Sequence, residues 1–286
     1  MFRILICRRA LYIYVLILLS VTSGYSQNYR INERTRLYTE EISGDSLLLK
    51  ADNHFAIPLS LNLFLDLSNL QGLAISELSE VLQPRITGQI VARFKKVDPD
   101  EEYRCDYRWK IVLGDVTKTP DKHFLYAYPF KDQSSYPLSQ GPGGQFSHQN
   151  SVAYDFAMPV GSPVTAARDG VVAFVDTEFD AGGARPELVN KANVISILHS
   201  DGTIANYVHL SKNGSLVREG DTVKTGQLIA LSGNTGYSTG AHLHFEVVQP
   251  SFDSKDKKWI NFEWNKPVYS RMQPEQNMTA AGSGRK

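Results

Sequence analysis

Apolar and polar residues alternate along much of the first half of the chain, a pattern typical of β-strands buried on one face. The alternation is clear over 59–67 and in two stretches within 86–114, ITGQIVARF and YRCDYRWKIVL. The latter two flank Asp98-Pro99-Asp100, and alternation on both sides of a turn-forming segment indicates a β-hairpin. We therefore predict an N-terminal β-rich accessory domain, sandwich-like, over residues 27–132.

The second half shows a loop followed by further short strands. Residues 133–147 (QSSYPLSQGPGGQFS) are rich in Ser, Gly and Pro, which predicts an irregular connection. The apolar segments 193–199 and 204–210 flank Ser200-Asp201-Gly202, a hairpin signal of the Asp-Gly type. We predict an all-β chain, with a second domain over 133–266 and a flexible polar tail over 267–286.

Residues 1–26 have the pattern of a secretory signal peptide. A basic head is followed by the apolar run ALYIYVLILLSV and then by small residues. The run is shorter than the ~20 residues of a membrane-spanning helix, so we expect cleavage and no stable span afterwards. The mature protein is expected in the periplasm or cell envelope, or secreted.

Charge and cysteine content narrow the function classes. Lys plus Arg equals Asp plus Glu at 30 each, so the basic excess typical of nucleic-acid binding is missing and no nucleic-acid partner is expected. Cys105 is the one cysteine outside residues 1–26, which excludes an intramolecular disulfide in the mature chain. Any metal site must then be built from histidine and carboxylate.

The segment His242-Leu243-His244-Phe245-Glu246 carries the clearest chemical signal. In a strand, residues two apart share a face, so His242 and His244 project together while Leu243 and Phe245 face the opposite side. Histidine nitrogen and carboxylate oxygen are common zinc ligands, and a catalytic zinc usually has three protein ligands. An isolated His-x-His pair is, however, more often a polar surface feature than a metal site.

Three other polar residues are candidate companions of this pair. His148 and Asp155 lie at the entry to the second domain, and His209 ends the segment 204–210. Asp155 lies inside the apolar run VAYDFAM, where a carboxylate is costly unless it is paired or binds a metal.

Two rival motifs fit their contexts poorly. Residues 236–240 (GYSTG) match the G-x-S-x-G nucleophile elbow, but the segment that follows is strand-like where that elbow requires a helix. Residues 220–230 are similar to the turn of biotinyl and lipoyl carrier domains, yet Lys224 lacks the methionine neighbours usual there. We assign neither chemistry to the chain.

Several longer motifs follow one another along the chain: SH…YDFAMPVG, GSPVTAARDGVV, YVHL and REGDTVKTGQLIALSGNTGYSTGAHLHFEV, which together cover roughly residues 140–250. In this order they resemble the lysostaphin-like (LytM-type) zinc metalloendopeptidases that act on peptidoglycan. The resemblance implies a β-rich domain of the lysostaphin type, the duplicated hybrid motif, and Zn²⁺ as cofactor.

The resemblance also implies residue roles. It assigns the metal to His148, Asp155 and His244, and it places His209 and His242 beside the attacking water as catalytic residues. One feature departs from the family pattern: the usual histidine lies four residues before the aspartate, whereas His148 precedes Asp155 by seven and Ser151 occupies the usual position.

The function implied is hydrolysis of cross-links or stem peptides of bacterial peptidoglycan by a zinc-activated water. The alternative is a non-catalytic relative that binds the cell wall or activates an amidase, since some relatives have lost zinc ligands. A structural or carrier module would have no use for these histidines. The sequence leaves open which bond is cut, what the N-terminal domain does, and the oligomeric state.

Overall fold

The computed structural model describes residues 34–72, 77–131, 136–145, 147–253 and 258–265. The predicted signal peptide (1–26) and C-terminal tail (267–286) lie outside these residues. Within them the only helical segment is a short 3-10 turn, and no helix is long and apolar enough to cross a membrane. The prediction of an all-β chain is confirmed.

The first half contains two antiparallel sheets. Its strands are β1 (Thr35–Ser43), β2 (Ser46–Asn53), β3 (Leu59–Ser68), β4 (Leu70–Gln71), β5 (Glu77–Leu82), β6 (Ile86–Lys96) and β7 (Arg104–Leu113). One sheet has the order β1-β2-β6-β4 and the other the order β5-β3-β7. Apolar side chains of both sheets belong to one buried cluster, which is compatible with the predicted sandwich.

The hairpin predicted around Asp98-Pro99-Asp100 is wrong, although both of its strands exist. β6 pairs with β2 and β4, whereas β7 pairs with β3 in the other sheet. The connection between β6 and β7 therefore crosses from one sheet to the other. Alternation of apolar and polar residues indicates that a strand is buried on one face, but it does not indicate which strand pairs with it.

The second half is built around one large sheet. Its elements are β8 (Leu125–Tyr126), β9 (Leu138–Gln140), β10 (Ala153–Phe156), β11 (Pro163–Thr165), β12 (Gly170–Asp176), β13 (Gly182–Gly183), a 3-10 helix (Pro186–Leu188), β14 (Val194–Leu198), β15 (Ile204–Val208), β16 (Leu210–Ser215), β17 (Thr222–Val223), β18 (Leu228–Ser232), β19 (Gly236–Tyr237), β20 (Leu243–Gln249), β21 (Lys258–Trp259) and β22 (Glu263–Trp264).

Eight of these strands form the main sheet, in the order β17-β12-β14-β15-β20-β10-β9 with β21 beside β20. β14 and β15 pair antiparallel, which confirms the hairpin predicted around Asp201-Gly202. A smaller, separate sheet has the order β11-β18-β16, and two short parallel pairs (β13–β19 and β8–β22) complete the described elements.

The inward face of β20 anchors the core of the second half. Leu243, Phe245 and Val247 are fully buried, and they belong to a cluster that also contains Tyr207 and Phe262. Fully burying one such apolar side chain stabilises the fold by about 1.5–3 kcal/mol. Since successive side chains of a strand point to opposite faces, this burial turns His244 and Glu246 to the other face.

The two halves are packed against each other. The cluster formed by the first half also contains Ile204 and Val208 of β15. At the junction, Gly114 has φ 90°, and a Cβ at this position would lie 2.8 Å from Cγ of Pro250. Only glycine fits this close approach without strain. The placement of the domain boundary at residues 132/133 stays a prediction.

Asp201 fixes the turn between β14 and β15. Its Oδ1 accepts hydrogen bonds from the backbone N and Oγ1 of Thr203, and its Oδ2 accepts from Asp121 N (2.9 Å) and from Arg168 Nη1 (2.8 Å). Burial raises the pKa of the Asp201 carboxyl, but these donors outweigh burial and hold the pKa at about 2. The ionised carboxylate thus stabilises the hairpin that ends at His209.

We predict that Asp201→Asn lowers the free energy of unfolding at pH 7 by about 1 to 3 kcal/mol, the usual worth of hydrogen bonds to a charged group. Because the folded-state pKa is depressed, this stabilisation exists above the ordinary carboxyl pKa and disappears as the pH falls from about 4 towards 2. Urea unfolding at several pH values measures it, with the exposed Asp100→Asn as control. A variant difference that stays constant down to pH 2 would contradict the assignment.

Candidate metal centre

The pairing of β10 with β20 brings two predicted ligands together. Asp155 lies directly opposite His244 in this antiparallel register, and Asp155 Oδ1 is 2.9 Å from His244 Nδ1. Directly opposite residues of an antiparallel pair have neighbouring side chains on the same face. The carboxylate in the apolar run therefore has its partner 89 residues away.

His148 reaches the same place from the loop before β10. Its Nε2 is 3.3 Å from His244 Nδ1 and 3.4 Å from Asp155 Oδ1. Its Nδ1 donates a hydrogen bond to the carbonyl oxygen of Gly141 at 3.2 Å, so Nε2 is the nitrogen that faces the other two side chains. The buried ring, 1% exposed, is thereby oriented towards the other two side chains.

These three atoms form a triangle that fits a metal ion. Its sides are 2.9, 3.3 and 3.4 Å. Ligands bound at about 2.0–2.1 Å in a tetrahedron around zinc lie roughly 3.3 Å apart, so the triangle approximates one face of that tetrahedron. Two imidazoles and a carboxylate are also a ligand set that zinc accepts, with the fourth position left for water or substrate.

The electrostatics of the site favour the charged carboxylate. Burial raises the pKa of Asp155, but hydrogen bonds with His148 and His244 prevail and hold it well below its ordinary value. Burial lowers the pKa of His244, while Asp155 and Glu246 outweigh it and raise the pKa to about 9. Metal binding would release that proton, since a ligand histidine coordinates in its neutral form.

His209 lies beside the triangle in an uncommon backbone conformation. It follows β15 with φ 62°, and its Nδ1 donates to the carbonyl oxygen of Thr235 at 2.6 Å. Burial, together with the nearby His242 and His244, lowers the pKa of His209 to about 3. Its imidazole is therefore neutral at physiological pH, with Nε2 as the acceptor nitrogen.

His242 completes the group from the residue before β20. Its Nδ1 donates to the carbonyl oxygen of Gly240 at 2.8 Å, and its Nε2 is 3.8 Å from Asp155 Oδ1. The rings of His209 and His242 are 4.5 Å apart between centroids. The structure thus brings all five sequence-predicted residues into one cluster, whereas His54 and His123 are exposed elsewhere.

Two polar groups near the site were missed by the sequence reasoning. Gln140 of β9 donates from Nε2 to Asp155 Oδ2 at 3.0 Å, and nothing in the local sequence signals this contact. Glu246 is buried next to His244, with its Oε2 3.9 Å from His244 Nε2. Glu246 could have been found, because it continues the two-residue spacing of His242 and His244 on one face of β20.

Comparison with known protein families gives a match in the second half of the chain. Residues 149–260 match Peptidase family M23. The match includes Asp155, His209, His242 and His244, and it begins one residue after His148. The resemblance to lysostaphin-like metallopeptidases is therefore confirmed, and the fold of the matched region is of the predicted β-rich type.

Three relatives illustrate the similarity. The peptidoglycan DD-endopeptidase ShyA of Vibrio cholerae is 44% identical over 94 residues, covering 33% of this chain and 19% of the relative. Lysostaphin of Staphylococcus simulans is 37% identical over 120 residues, covering 42% and 21%. A zinc-containing peptidase from Vibrio cholerae of known structure is 23% identical, with a TM-score of 0.38, covering 77% of this chain and 57% of that one.

The matched region spans about one fifth of the length of these curated relatives. The similarity to these relatives is therefore a similarity over one region of each chain. The roles of His148, Asp155 and His244 as metal ligands, and of His209 and His242 as catalytic residues, stay predictions.

We predict that Asp155→Asn weakens Zn²⁺ binding by more than about 100-fold, because it removes a ligand charge from a site where even outer partners are worth 10–100-fold. Competition with a chromophoric chelator measures the affinity. Asp169→Asn is the matched control, since Asp169 is an exposed acid of the same domain that pairs with Lys224 and Thr225. Equal zinc affinity in the two variants would remove Asp155 from the ligand set.

Proposed function

We propose that this protein is a zinc-dependent endopeptidase that hydrolyses peptide bonds of bacterial peptidoglycan. The observation that carries the proposal is the triangle of His148 Nε2, Asp155 Oδ1 and His244 Nδ1 at the region that matches Peptidase family M23. Two further histidines, His209 and His242, lie against that triangle.

Zinc is the metal that suits these ligands. Two neutral imidazoles and one carboxylate leave a single positive charge on a divalent ion and an open coordination position. When bound, zinc polarises the scissile carbonyl as a Lewis acid and makes water nucleophilic near neutral pH.

The protein's own contribution is to hold protons in defined places. His209 and His242 each donate Nδ1–H to a backbone carbonyl, which leaves Nε2 of each ring as the atom that can accept a proton. Burial lowers the pKa of His209 to about 3, so the ring is neutral and its Nε2 lone pair can accept a hydrogen bond from a bound water. His242, on the more exposed side, is suited to accept a proton at Nε2 from the attacking water and to pass that proton to the leaving amine.

The substrate class follows from the names of the relatives. ShyA is a peptidoglycan DD-endopeptidase and ALE-1 of Staphylococcus capitis is a glycyl-glycine endopeptidase. Both act on peptide bonds, and the two bonds differ. We therefore propose peptidoglycan peptides as the substrate, and the exported location predicted from residues 1–26 would bring the enzyme to them.

The predicted N-terminal domain, residues 27–132, is proposed to be an accessory unit of the enzyme.

Some relatives of the non-catalytic kind have lost zinc ligands, whereas this chain has all three predicted ligand side chains close to one another. The contact geometry therefore favours the enzyme.

We predict that His244→Ala abolishes both zinc binding and peptidoglycan digestion, because the variant removes one ligand of three. Zinc content is measured on the purified full chain, and release of soluble fragments from purified peptidoglycan measures activity with and without chelator. His123→Ala, an exposed histidine outside the site, is the matched control. Mass spectrometry of the released fragments would then identify the bond that is cut.

A wild-type chain that is folded and binds no zinc would overturn the enzyme proposal. Zinc binding without digestion, in both the wild type and His123→Ala, would favour the non-catalytic wall-binding alternative.

A further inference from the structure

A row of buried polar side chains crosses the main sheet behind the metal centre. Ser196 of β14 lies opposite Asn206 of β15, and Asn206 lies opposite Glu246 of β20. The exposed fractions of the three residues are 0%, 6% and 2%. Such groups are costly to bury unless each is hydrogen-bonded, so the row calls for a physical reason.

The hydrogen bonds of the row converge on the carboxylate of Glu246. Ser196 Oγ donates to Asn206 Oδ1 at 2.7 Å, which orients the amide so that Asn206 Nδ2 donates to Glu246 Oε1 at 3.0 Å. The indole Nε1 of Trp259, on β21, donates to Glu246 Oε2 at 2.9 Å. Both carboxylate oxygens are therefore held in fixed positions from two sides.

The carboxylate lies near Nε2 of His244, a ring nitrogen of the candidate metal centre. Among the described residues, His244 Nε2 is buried without a hydrogen bond, and Glu246 Oε2 lies 3.9 Å from it. His244 and Glu246 are two residues apart on one strand, so their side chains stand side by side on the same face. The other nitrogen of the ring, Nδ1, belongs to the ligand triangle.

We propose that Glu246 is a positioning residue that orients His244 for metal binding, an inference that rests on the proposed zinc site. The carboxylate attracts Nε2–H, which places the proton on that nitrogen and leaves the lone pair of Nδ1 directed at the metal. Ligand histidines commonly donate their second N–H to a carboxylate, and such partners are worth 10–100-fold in metal affinity. Ser196, Asn206 and Trp259 hold the carboxylate in place.

The test is the zinc affinity of Glu246→Gln in the full chain, measured by competition with a chromophoric chelator. We expect a 10–100-fold loss, together with an altered visible spectrum of the cobalt-substituted protein, because the ligand field at Nδ1 changes. Asp201→Asn is the matched control: it also removes a hydrogen-bonded carboxylate and stability, yet it lies at the turn of the β14–β15 hairpin. We expect its zinc affinity to equal that of the wild type.

A second variant serves if Glu246→Gln does not fold. Trp259→Phe removes one donor to Oε2 and leaves the carboxylate, so we expect a smaller loss of zinc affinity in the same direction. Wild-type affinity in a folded Glu246→Gln or, failing that variant, in Trp259→Phe would overturn the positioning role. A wild-type chain that binds no zinc would instead overturn the proposed zinc site itself, so the two failures are distinguishable.

Discussion

The register between β10 and β20 is the constraint on which the rest of the site depends. It places Asp155 opposite His244, and a slip of one residue would turn every side chain of a strand to the other face. That register is held by burial: Leu243, Phe245 and Val247 fill the core on the opposite face and are fully buried. The same apolar side chains that stabilise the domain therefore set the position of the predicted ligand atoms.

The polar face of β20 is stabilised in a different way. His242, His244 and Glu246 succeed one another at intervals of two, and each has its partners on a different element: a turn carbonyl, a strand carboxylate and a row of buried donors. A rigid strand with fixed outer partners holds the reacting groups more accurately than a loop does. His148 is the exception, since it comes from a loop and is oriented by its hydrogen bond to Gly141.

One wrong prediction and one missed contact have the same physical origin. The strands on either side of Asp98-Pro99-Asp100 are real, but they pair with β2 and β3 in separate sheets. Gln140 contacts Asp155 although it lies in a loop-like segment with no pattern of its own. Both depend on contacts between residues distant in sequence, which local alternation does not encode. The β14–β15 hairpin was predictable because its pairing and its Asp-Gly turn are local.

The sequence by itself determined the strand content, the shared face of His242 and His244, and the resemblance that singled out His148, Asp155 and His209, because these depend on spacing within short segments. Only the tertiary structure decided that the five side chains meet, that His148 with its longer spacing reaches His244 Nδ1 at 3.3 Å, and that Glu246 lies behind the ring. The physical reason is that ligand geometry is set by pairing between β10, β15 and β20, strands that are joined by long connections and brought together only by their common core.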